Sequence, residues 1–205
     1  MTEAQTRSRA ATEARLMEAA GDVLVRDGFA GFGVNAVARE AGCDKQLIYR
    51  YFGGLDGLAT ALCKREGEAL AAALESHAPP RPASDYAGLI EQLVMAYLEA
   101  LTAHPAAQKL VLWELSGPAP ALAGFAKARA AMIAGWIARR QGALALPDGI
   151  DALAVNAILI ATVHQLVLAR SASQKGRAGS PQQDAAWARA RAALAHMARS
   201  ALSDQ

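Results

Sequence analysis

The stretch VNAVAREAGCDKQLIYRYFGG, residues 34–54, decides the fold of this protein. It contains two short segments with helical patterns, and Gly42 closes the first of them. Asp44 precedes the second segment, residues 45–52, and is predicted to cap it, because an aspartate carboxylate can accept an N–H from the first helical turn. A Gly-Gly pair follows, and glycine commonly ends helices. The stretch therefore predicts two short helices joined by a tight turn.

The spacing within this stretch indicates a helix-turn-helix. With Val34 as the first position, the fifth residue is Ala38 and the ninth is Gly42, while the fifteenth is Ile48. A small fifth residue lets the two helices approach, and glycine at the ninth permits a sharp turn. A branched apolar residue at the fifteenth fills the space between the helices. The three matches together are moderately specific for this motif.

The second helix of the motif then has an inner side, with Ile48 and Phe52, and an outer face. The residues at or beside that outer face are Lys45, Gln46, Leu47, Tyr49 and Arg50. Lysine and arginine can address guanine edges or phosphates, and glutamine can pair with adenine. Tyrosine hydroxyls suit phosphate oxygens, and leucine can contact a thymine methyl group. The pattern predicts a surface that reads DNA.

The alternative is that these are simply the solvated residues of an amphipathic helix. One count favours that alternative, because residues 1–52 carry seven Lys and Arg against seven Asp and Glu. A DNA-binding domain usually has a basic surface. The acids fall mostly in the predicted first helix, however, and Arg7 and Arg9 are expected to precede that helix as an arm. We expect the positions of the charges, rather than their sum, to matter.

Composition predicts a helical, cytoplasmic protein. Of 205 residues, 53% are apolar and only 5% are aromatic, and the formal net charge is +2. Cys43 and Cys63 lack metal-ligand spacing, which favours free thiols in a reducing compartment. The N-terminal sequence has no apolar core of a secretory signal. The longest nearly apolar run, residues 152–163, is shorter than the 18 to 20 residues of a membrane span.

Helix-breaking residues divide the remainder into helical segments. Residues 77–82, HAPPRP, cannot lie inside a helix, because proline lacks a backbone donor. Helical patterns recur after them and no strand-like alternation appears. These predicted helices are residues 85–103, 106–115, 121–141, 150–172 and 183–202. The sequence predicts an all-α protein of about nine helices.

The segment from Ala19 to Leu58 resembles the TetR family of transcriptional regulators. The Gly28-Phe29 pair, the Val37-Ala38 and Ala41-Gly42 pairs and the segment IYRYF at residues 48–52 carry the resemblance, which covers roughly 40 residues. It implies an N-terminal helix-turn-helix domain, residues 1–53, and a C-terminal ligand-binding and dimerisation domain, residues 54–205.

The resemblance also implies the DNA-facing positions. These are Asn35, Lys45, Gln46, Leu47, Tyr49 and Arg50 near bases or backbone, with Tyr51 near phosphate. Three residues depart from the family pattern. Gly33 replaces the usual Thr or Ser cap, Tyr51 replaces a histidine, and Leu55 replaces a lysine that would approach phosphate. These departures concern the contacts with DNA more than the fold.

The C-terminal part is expected to bind a small-molecule effector and to form a homodimer. Residues 150–172 are apolar over most of the helical circumference, so they need a core or a partner to cover them. Polar-capable side chains on otherwise apolar helices are the candidate ligand contacts: Tyr97, Trp113, Trp136, Asn156 and His164. Such residues are more often hydrogen-bonded core residues. The six cations among residues 170–199 favour a solvated face, with an anionic ligand site as a minor alternative.

An enzyme and a protein–protein adaptor are the competing functions. No nucleophile elbow, phosphate-binding loop or metal-protease motif is present, so no catalytic residue, metal or cofactor is expected. An adaptor without DNA binding would suit the neutral N-terminal segment but would leave the helix-turn-helix spacing as coincidence. The sequence therefore predicts a ligand-responsive DNA-binding regulator. By resemblance, it is a repressor released from a palindromic operator when a ligand shifts the population of conformations.

Overall fold

The computed structural model describes residues 3–117, 122–174 and 180–203. Within these ranges the chain forms nine α-helices and no strand, which confirms the predicted all-α fold. The helices are α1 (Glu3–Gly31), α2 (Val34–Glu40), α3 (Gln46–Phe52), α4 (Leu55–His77), α5 (Tyr86–Thr102), α6 (Pro105–Leu115), α7 (Ala123–Gln141), α8 (Ala152–Gln174) and α9 (Pro181–Ser200).

One expectation about the N-terminus is wrong. Arg7 and Arg9 were expected to form an arm before the first helix, but α1 begins at Glu3 and includes both positions. The sequence from Glu3 onward lacks Gly and Pro until Gly21, so nothing in it stops helix propagation toward the N-terminus. The basic residues therefore lie on a helix.

The chain divides into two compact units. The first comprises Met1–Ala69 and Pro105–Arg129, and the second comprises Leu70–His104 and Ala130–Gln205. Helices α4 and α7 each contribute residues to both units. The division into functional domains at residue 53 stays a prediction, because it concerns what the segments do rather than how they pack.

The first unit is built around α1, which packs against α2 and α6. Leu16, Val23 and Leu24 of α1 are fully buried, at the spacing expected for one helical face. Burying each such side chain contributes about 1.5 to 3 kcal/mol. Because α1 packs against α2, the buried residues of α1 help to position the helix that opens the predicted motif.

The end of α1 turns at Gly28, whose φ of 68° and ψ of −170° are not helical. Immediately beyond it, Phe29 stacks on Trp113 of α6 with ring centroids 5.8 Å apart. Phe32 meets the same indole edge-on at 5.9 Å. The junction between α1 and α2 is thus held by an aromatic cluster contributed partly by α6.

The second unit is centred on α5, which packs against α8 and α9 and buries most of its residues. Asp85 caps α5 by accepting the N–H of Gly88 at 2.6 Å. Ser180 and Gln183 form a capping box at the start of α9, and Pro181 occupies its first turn. The cap places the start of α9 two residues before the predicted residue 183.

Helix α8 is longer than the uninterrupted apolar run that the sequence argument counted. By length and composition alone its 23 residues could cross a membrane, with a mean hydropathy of 1.9 over the most apolar window. The core helix of a soluble protein passes the same test. Here two polar side chains of α8, Asn156 and His164, are buried against α5 and hydrogen-bonded to its tyrosines. These contacts are those of a helix packed inside a helical unit.

Candidate nucleic-acid interface

The segment from α2 to α3 has the geometry that its spacing predicts. Ala38 on α2 is buried, and Ile48 on α3 is fully buried. Gly42 has a φ of +60°, a left-handed conformation that side chains disfavour. The N–H of Cys43 donates to the Ala38 carbonyl at 3.0 Å and closes the turn. The two short helices therefore form a helix-turn-helix.

The start of α3 differs by one residue from the prediction. The helix begins at Gln46, so the backbone position before it is Lys45 rather than Asp44. Asp44 still satisfies a donor of the first turn, because its Oδ1 accepts the N–H of Gln46 at 2.8 Å. At α2 the capping residue is Gly33, which provides no side-chain hydrogen bond. The capping of α3 therefore comes from a side chain, whereas that of α2 does not.

The corner between α3 and α4 depends on a glycine that the sequence analysis missed. A Cβ placed on Gly57 would lie 1.7 Å from the carbonyl oxygen of Phe52. No side chain can fit there without moving the backbone, because real Cβ contacts are never so short. Gly57 thus sets how closely α4 follows the end of α3. The sequence contained a weak signal, since a glycine inside a helix usually has a packing reason.

Most of the predicted DNA-facing residues are exposed together on the motif. The exposed ones are Asn35, Lys45, Gln46, Tyr49 and Arg50. Tyr49 is 57% exposed, which is high for an aromatic side chain that lacks a function at the surface. Leu47 and Tyr51 are half-buried beside this face. The motif therefore presents cations, an amide and a phenol to solvent on one short helix and its flanks.

Two arginines flank the ring of Tyr51. The guanidinium carbon of Arg9, on α1, lies 5.4 Å from the ring centroid, and that of Arg50 lies 5.9 Å from it. Arg9 also donates from Nε to Glu13 at 2.8 Å, and this hydrogen bond raises the pKa of the guanidinium. The position of Arg9 beside α3 was not predicted. Only its spacing of four residues from Glu13 was visible in the sequence.

Several acids of the first unit are neutralised by partners away from α3. Arg26 donates to Asp27 at 3.0 Å and to Glu40 at 2.7 Å, which joins α1 to α2. The Arg26 hydrogen bond holds the pKa of Asp27 below its usual range. Because these carboxylates are ion-paired, the balanced charge of residues 1–52 does not make the α3 face acidic.

Comparisons with known proteins identify the motif. Residues 16–62 match the model for bacterial regulatory proteins of the TetR family. An HTH-type transcriptional repressor of Streptomyces coelicolor is 35% identical over 104 residues, which are 51% of this chain and 50% of that protein. The N-terminal segment of the chain is therefore similar to regulators of the TetR family. The aligned region spans about half the length of that curated relative, and it does not establish the activity of the whole protein.

Solved structures share the fold over nearly the whole chain. A transcriptional regulator from a Rhodococcus species has a TM-score of 0.68 at 20% identity, covering 92% of this chain and 95% of that one. A TetR family regulator from Marinobacter aquaeolei has a TM-score of 0.66 at 15% identity, covering 97% and 100%. The fatty acid degradation regulator FadR from Bacillus halodurans has a TM-score of 0.64 at 15% identity, covering 89% and 97%. At these identities the likeness shows the fold.

The predicted ligand contacts of this chain fall into both units. In the second unit, the Tyr97 hydroxyl and His164 Nε2 are 2.9 Å apart, with both side chains buried. Asn156 Nδ2 donates to the Tyr86 hydroxyl at 2.8 Å. Trp136 is fully buried, with the Arg140 guanidinium 4.4 Å from its ring centroid. Trp113 belongs to the first unit, in the aromatic cluster with Phe29 and Phe32.

Two of these side chains have a buried polar atom without a hydrogen-bond partner among the described residues, namely Nε1 of Trp136 and Oδ1 of Asn156. Buried polar atoms are normally paired, since leaving one unpaired costs about 1 to 3 kcal/mol. Tyr86, the partner of Asn156, was missed by the sequence analysis because nothing local links residues 70 positions apart.

Three of the surface clefts in the described part of the second unit have walls that contain none of the five candidates. One of about 420 Å³ lies by the α5 N-terminus and includes Met95 and Arg199. One of about 440 Å³ lies beside Tyr86 and Pro147. The third, of about 240 Å³, lies between α8 and α9, and its lining includes Leu166 and Trp187 together with the polar residues Arg170, Ser173, Gln174 and Gln183. Met95 is half-buried at the edge of the first cleft.

Proposed function

We propose that this chain is a TetR family transcriptional regulator that binds a palindromic DNA operator as a homodimer and is released by a small-molecule effector. The observation that carries the proposal is the helix-turn-helix itself. Ala38 and Ile48 are buried, and the exposed face of α3 is rich in hydrogen-bond donors. These donors belong to Lys45, Gln46, Tyr49 and Arg50. A cluster of exposed hydrogen-bond donors on one short helix favours a surface that binds a partner.

The chemistry of the α3 face suits the major groove of DNA. Arg50 and Lys45 can donate to guanine edges or to phosphates, and Gln46 can form a bidentate pair with adenine. Tyr49 on α3 and Asn35 on α2 suit phosphate oxygens, and Leu47 suits a thymine methyl group. Tyr51 lies where the resemblance places a phosphate contact. The seven residues thus supply both positioning and base-reading contacts.

The second unit supplies an apolar surface for a second copy of the chain. Leu153 and Ile158 of α8 are 81% and 63% exposed, and Met197 of α9 is 50% exposed. Large apolar side chains exposed on neighbouring helices favour an interface between subunits. A two-fold dimer would present two α3 helices to two half-sites, which accounts for a palindromic operator.

The effector is proposed to bind in the second unit. The buried tyrosine–histidine and asparagine–tyrosine pairs, with the unpaired atoms of Asn156 and Trp136, are polar groups that a ligand could engage. Binding would shift the population toward a conformation whose two α3 helices no longer match the half-sites. Repression, rather than activation, is proposed because the Streptomyces relative is a transcriptional repressor. A regulator of this kind works in the cytoplasm, without a membrane partner.

The test is selection of bound duplexes from a random pool at two salt concentrations. We expect an enriched palindrome whose affinity falls with salt, since phosphate contacts release counterions. Arg50→Ala should lower the affinity for the enriched duplex and relax the preference at one position of each half-site. Lys64→Ala removes an exposed cation from α4, away from the α3 face, and should leave the enriched sequence unchanged.

The competing adaptor function predicts a different result. The DNA-binding proposal would be refuted by two results obtained together with a folded dimer. The dimer would enrich no DNA sequence, and it would bind random duplex no better than an acidic control protein does. The balanced charge of residues 1–52 would then favour a protein–protein adaptor that does not bind DNA. Equal loss of binding in Arg50→Ala and Lys64→Ala would show that contacts depend on charge alone rather than on the α3 face.

A further inference from the structure

Tyr51 lies between cations from two different helices. Arg9 comes from α1 and Arg50 from α3, and their guanidinium carbons are 5.4 Å and 5.9 Å from the Tyr51 ring centroid. Both distances are within the range in which a cation is attracted to the face of an aromatic ring. Tyr51 itself is half-buried, so its ring is fixed by the surrounding packing more firmly than an exposed side chain.

Stacking on a ring leaves the hydrogen-bonding capacity of arginine intact. The N–H donors of a guanidinium lie in its plane and point outward, whereas the ring contacts its face. Arg9 commits Nε to Glu13, and its Nη groups carry the remaining donors. A planar donor held in one orientation loses less conformational entropy when it binds phosphate than a free side chain does. The two arginines are therefore arranged as a pair of pre-oriented phosphate ligands.

We infer that Tyr51 is a positioning residue, whose ring holds Arg9 and Arg50 for binding to the DNA backbone, and that Arg9 is a phosphate ligand contributed by α1. The inference rests on the proposed DNA-binding function and assigns the residue roles within it. It differs from a direct contact between the Tyr51 hydroxyl and phosphate, because the ring and not the hydroxyl does the work. It also gives α1 a part in recognition, although α1 lies outside the helix-turn-helix.

The experiment measures affinity for the duplex enriched by the wild-type protein across a series of salt concentrations. Arg9→Ala should reduce the slope of log affinity against log salt by about 0.9 for each bound protomer, the amount expected for one lost phosphate contact. Arg15→Ala, which removes another exposed cation of α1, is the matched control and should leave the slope unchanged. Both residues are exposed, so neither substitution should affect folding.

The Tyr51 variants separate the ring from the hydroxyl. Tyr51→Phe should weaken binding less than Tyr51→Ala does and should keep the wild-type salt slope, because phenylalanine retains the aromatic face and loses only the hydroxyl. Tyr51→Ala should bind about two- to fivefold more weakly, as expected for loss of exposed cation–π contacts, and should show a lower salt slope. In the double variant with Arg9→Ala, the two losses should not be additive, because both disrupt the same contact. Circular dichroism checks that each variant is folded.

Three results would overturn the inference. Equal weakening by Tyr51→Phe and Tyr51→Ala would assign the role to the hydroxyl. An unchanged salt slope in Arg9→Ala would remove Arg9 from the interface, while the enriched duplex still bound the wild-type protein. Failure of the wild-type protein to enrich any duplex would reject the proposed function together with this inference, so the two failures are distinguishable.

Discussion

The candidate sites of the two units are built over very different distances along the chain. In the first unit, the turn between α2 and α3 is closed by bonds between near neighbours, such as Cys43 to Ala38 and Gln46 to Asp44. In the second unit, the Tyr97–His164 pair joins residues 67 positions apart. A site made of local contacts has a spacing that can be recognised in the sequence. A site made of distant contacts becomes visible only when the helices are packed.

In the first unit, we expect a substitution at Gly57, beside the Phe52 carbonyl, to be strongly destabilising. Gly57→Ala places a Cβ where the Phe52 carbonyl already lies, so we expect a loss of about 3 to 5 kcal/mol in the free energy of unfolding, or no stable fold. Denaturant unfolding measures the loss. Hydrogen exchange of α3 and α4 should locate the loss in the first unit.

Gly124→Ala is the matched control for this substitution. Gly124 lies in α7, has no atom within 4 Å of a Cβ placed on it, and does not have a positive φ. Alanine is the better helix former, so this change should stabilise the protein by up to about 1 kcal/mol. Comparable destabilisation by both substitutions would mean that helix propensity, and not the Phe52 carbonyl, governs the corner. The contrast between local and distant contacts would then lose its strongest case.

The sequence predicts the helix-turn-helix of the first unit well because its determinants are steric and local. Ala38, Gly42 and Ile48 each follow from what a tight turn between helices requires, and the exposed face follows from them. Gly57 was missed because its constraint is a contact with a carbonyl across a helix junction, which no hydrophobic pattern records. Arg9 was misplaced, because its helix begins earlier than expected.

The second site is predicted only as residue types. Tyr97, Asn156 and His164 are polar groups on apolar helices, and the structure pairs them with partners in α5 and α8 that no spacing rule identifies. Trp113 shows the limit of such reasoning, since it was grouped with the same candidates and instead packs on Phe29 and Phe32 in the first unit. Composition identifies unusual residues, and only packing tells which of them meet.

A substitution in the distant pair sharpens the comparison. Tyr97→Phe removes the hydroxyl that contacts His164 in a buried site, so we expect a loss of about 1 to 3 kcal/mol in the free energy of unfolding. Tyr49→Phe removes a hydroxyl from an exposed position on α3 and should change stability by less than about 0.5 kcal/mol. Thermal and denaturant unfolding of both variants measure the difference. If Tyr49→Phe destabilised the protein as much as Tyr97→Phe, the buried hydrogen bond of Tyr97 would not explain the difference between the two units.

A local contact within the second unit provides the smallest test. Asp85 accepts the Gly88 N–H at 2.6 Å and the Ser84 hydroxyl at 3.0 Å, and Arg199 lies nearby. These groups, the Gly88 N–H foremost, hold the pKa of the Asp85 carboxyl below its ordinary value of 3.8. The folded protein therefore binds this proton less readily than the unfolded chain does. The contribution of Asp85 is fully present above the unfolded pKa and is lost as the pH falls through the folded pKa.

Asp85→Ala should accordingly cost about 1 kcal/mol at pH 7, the usual value of a helix cap, and less as the solution is acidified below pH of about 4. Unfolding of the wild-type and variant proteins at several pH values measures this convergence. Asp148→Ala, at an exposed carboxylate outside the helices, is the control and should show no such pH-dependent difference. A constant difference at all pH values would mean that the Asp85 side chain acts by packing and not as a charged cap. Convergence would show that side-chain capping stabilises helices in both units. The second site would then be hard to predict from sequence because of its long-range polar pairs and not because of how its helices form.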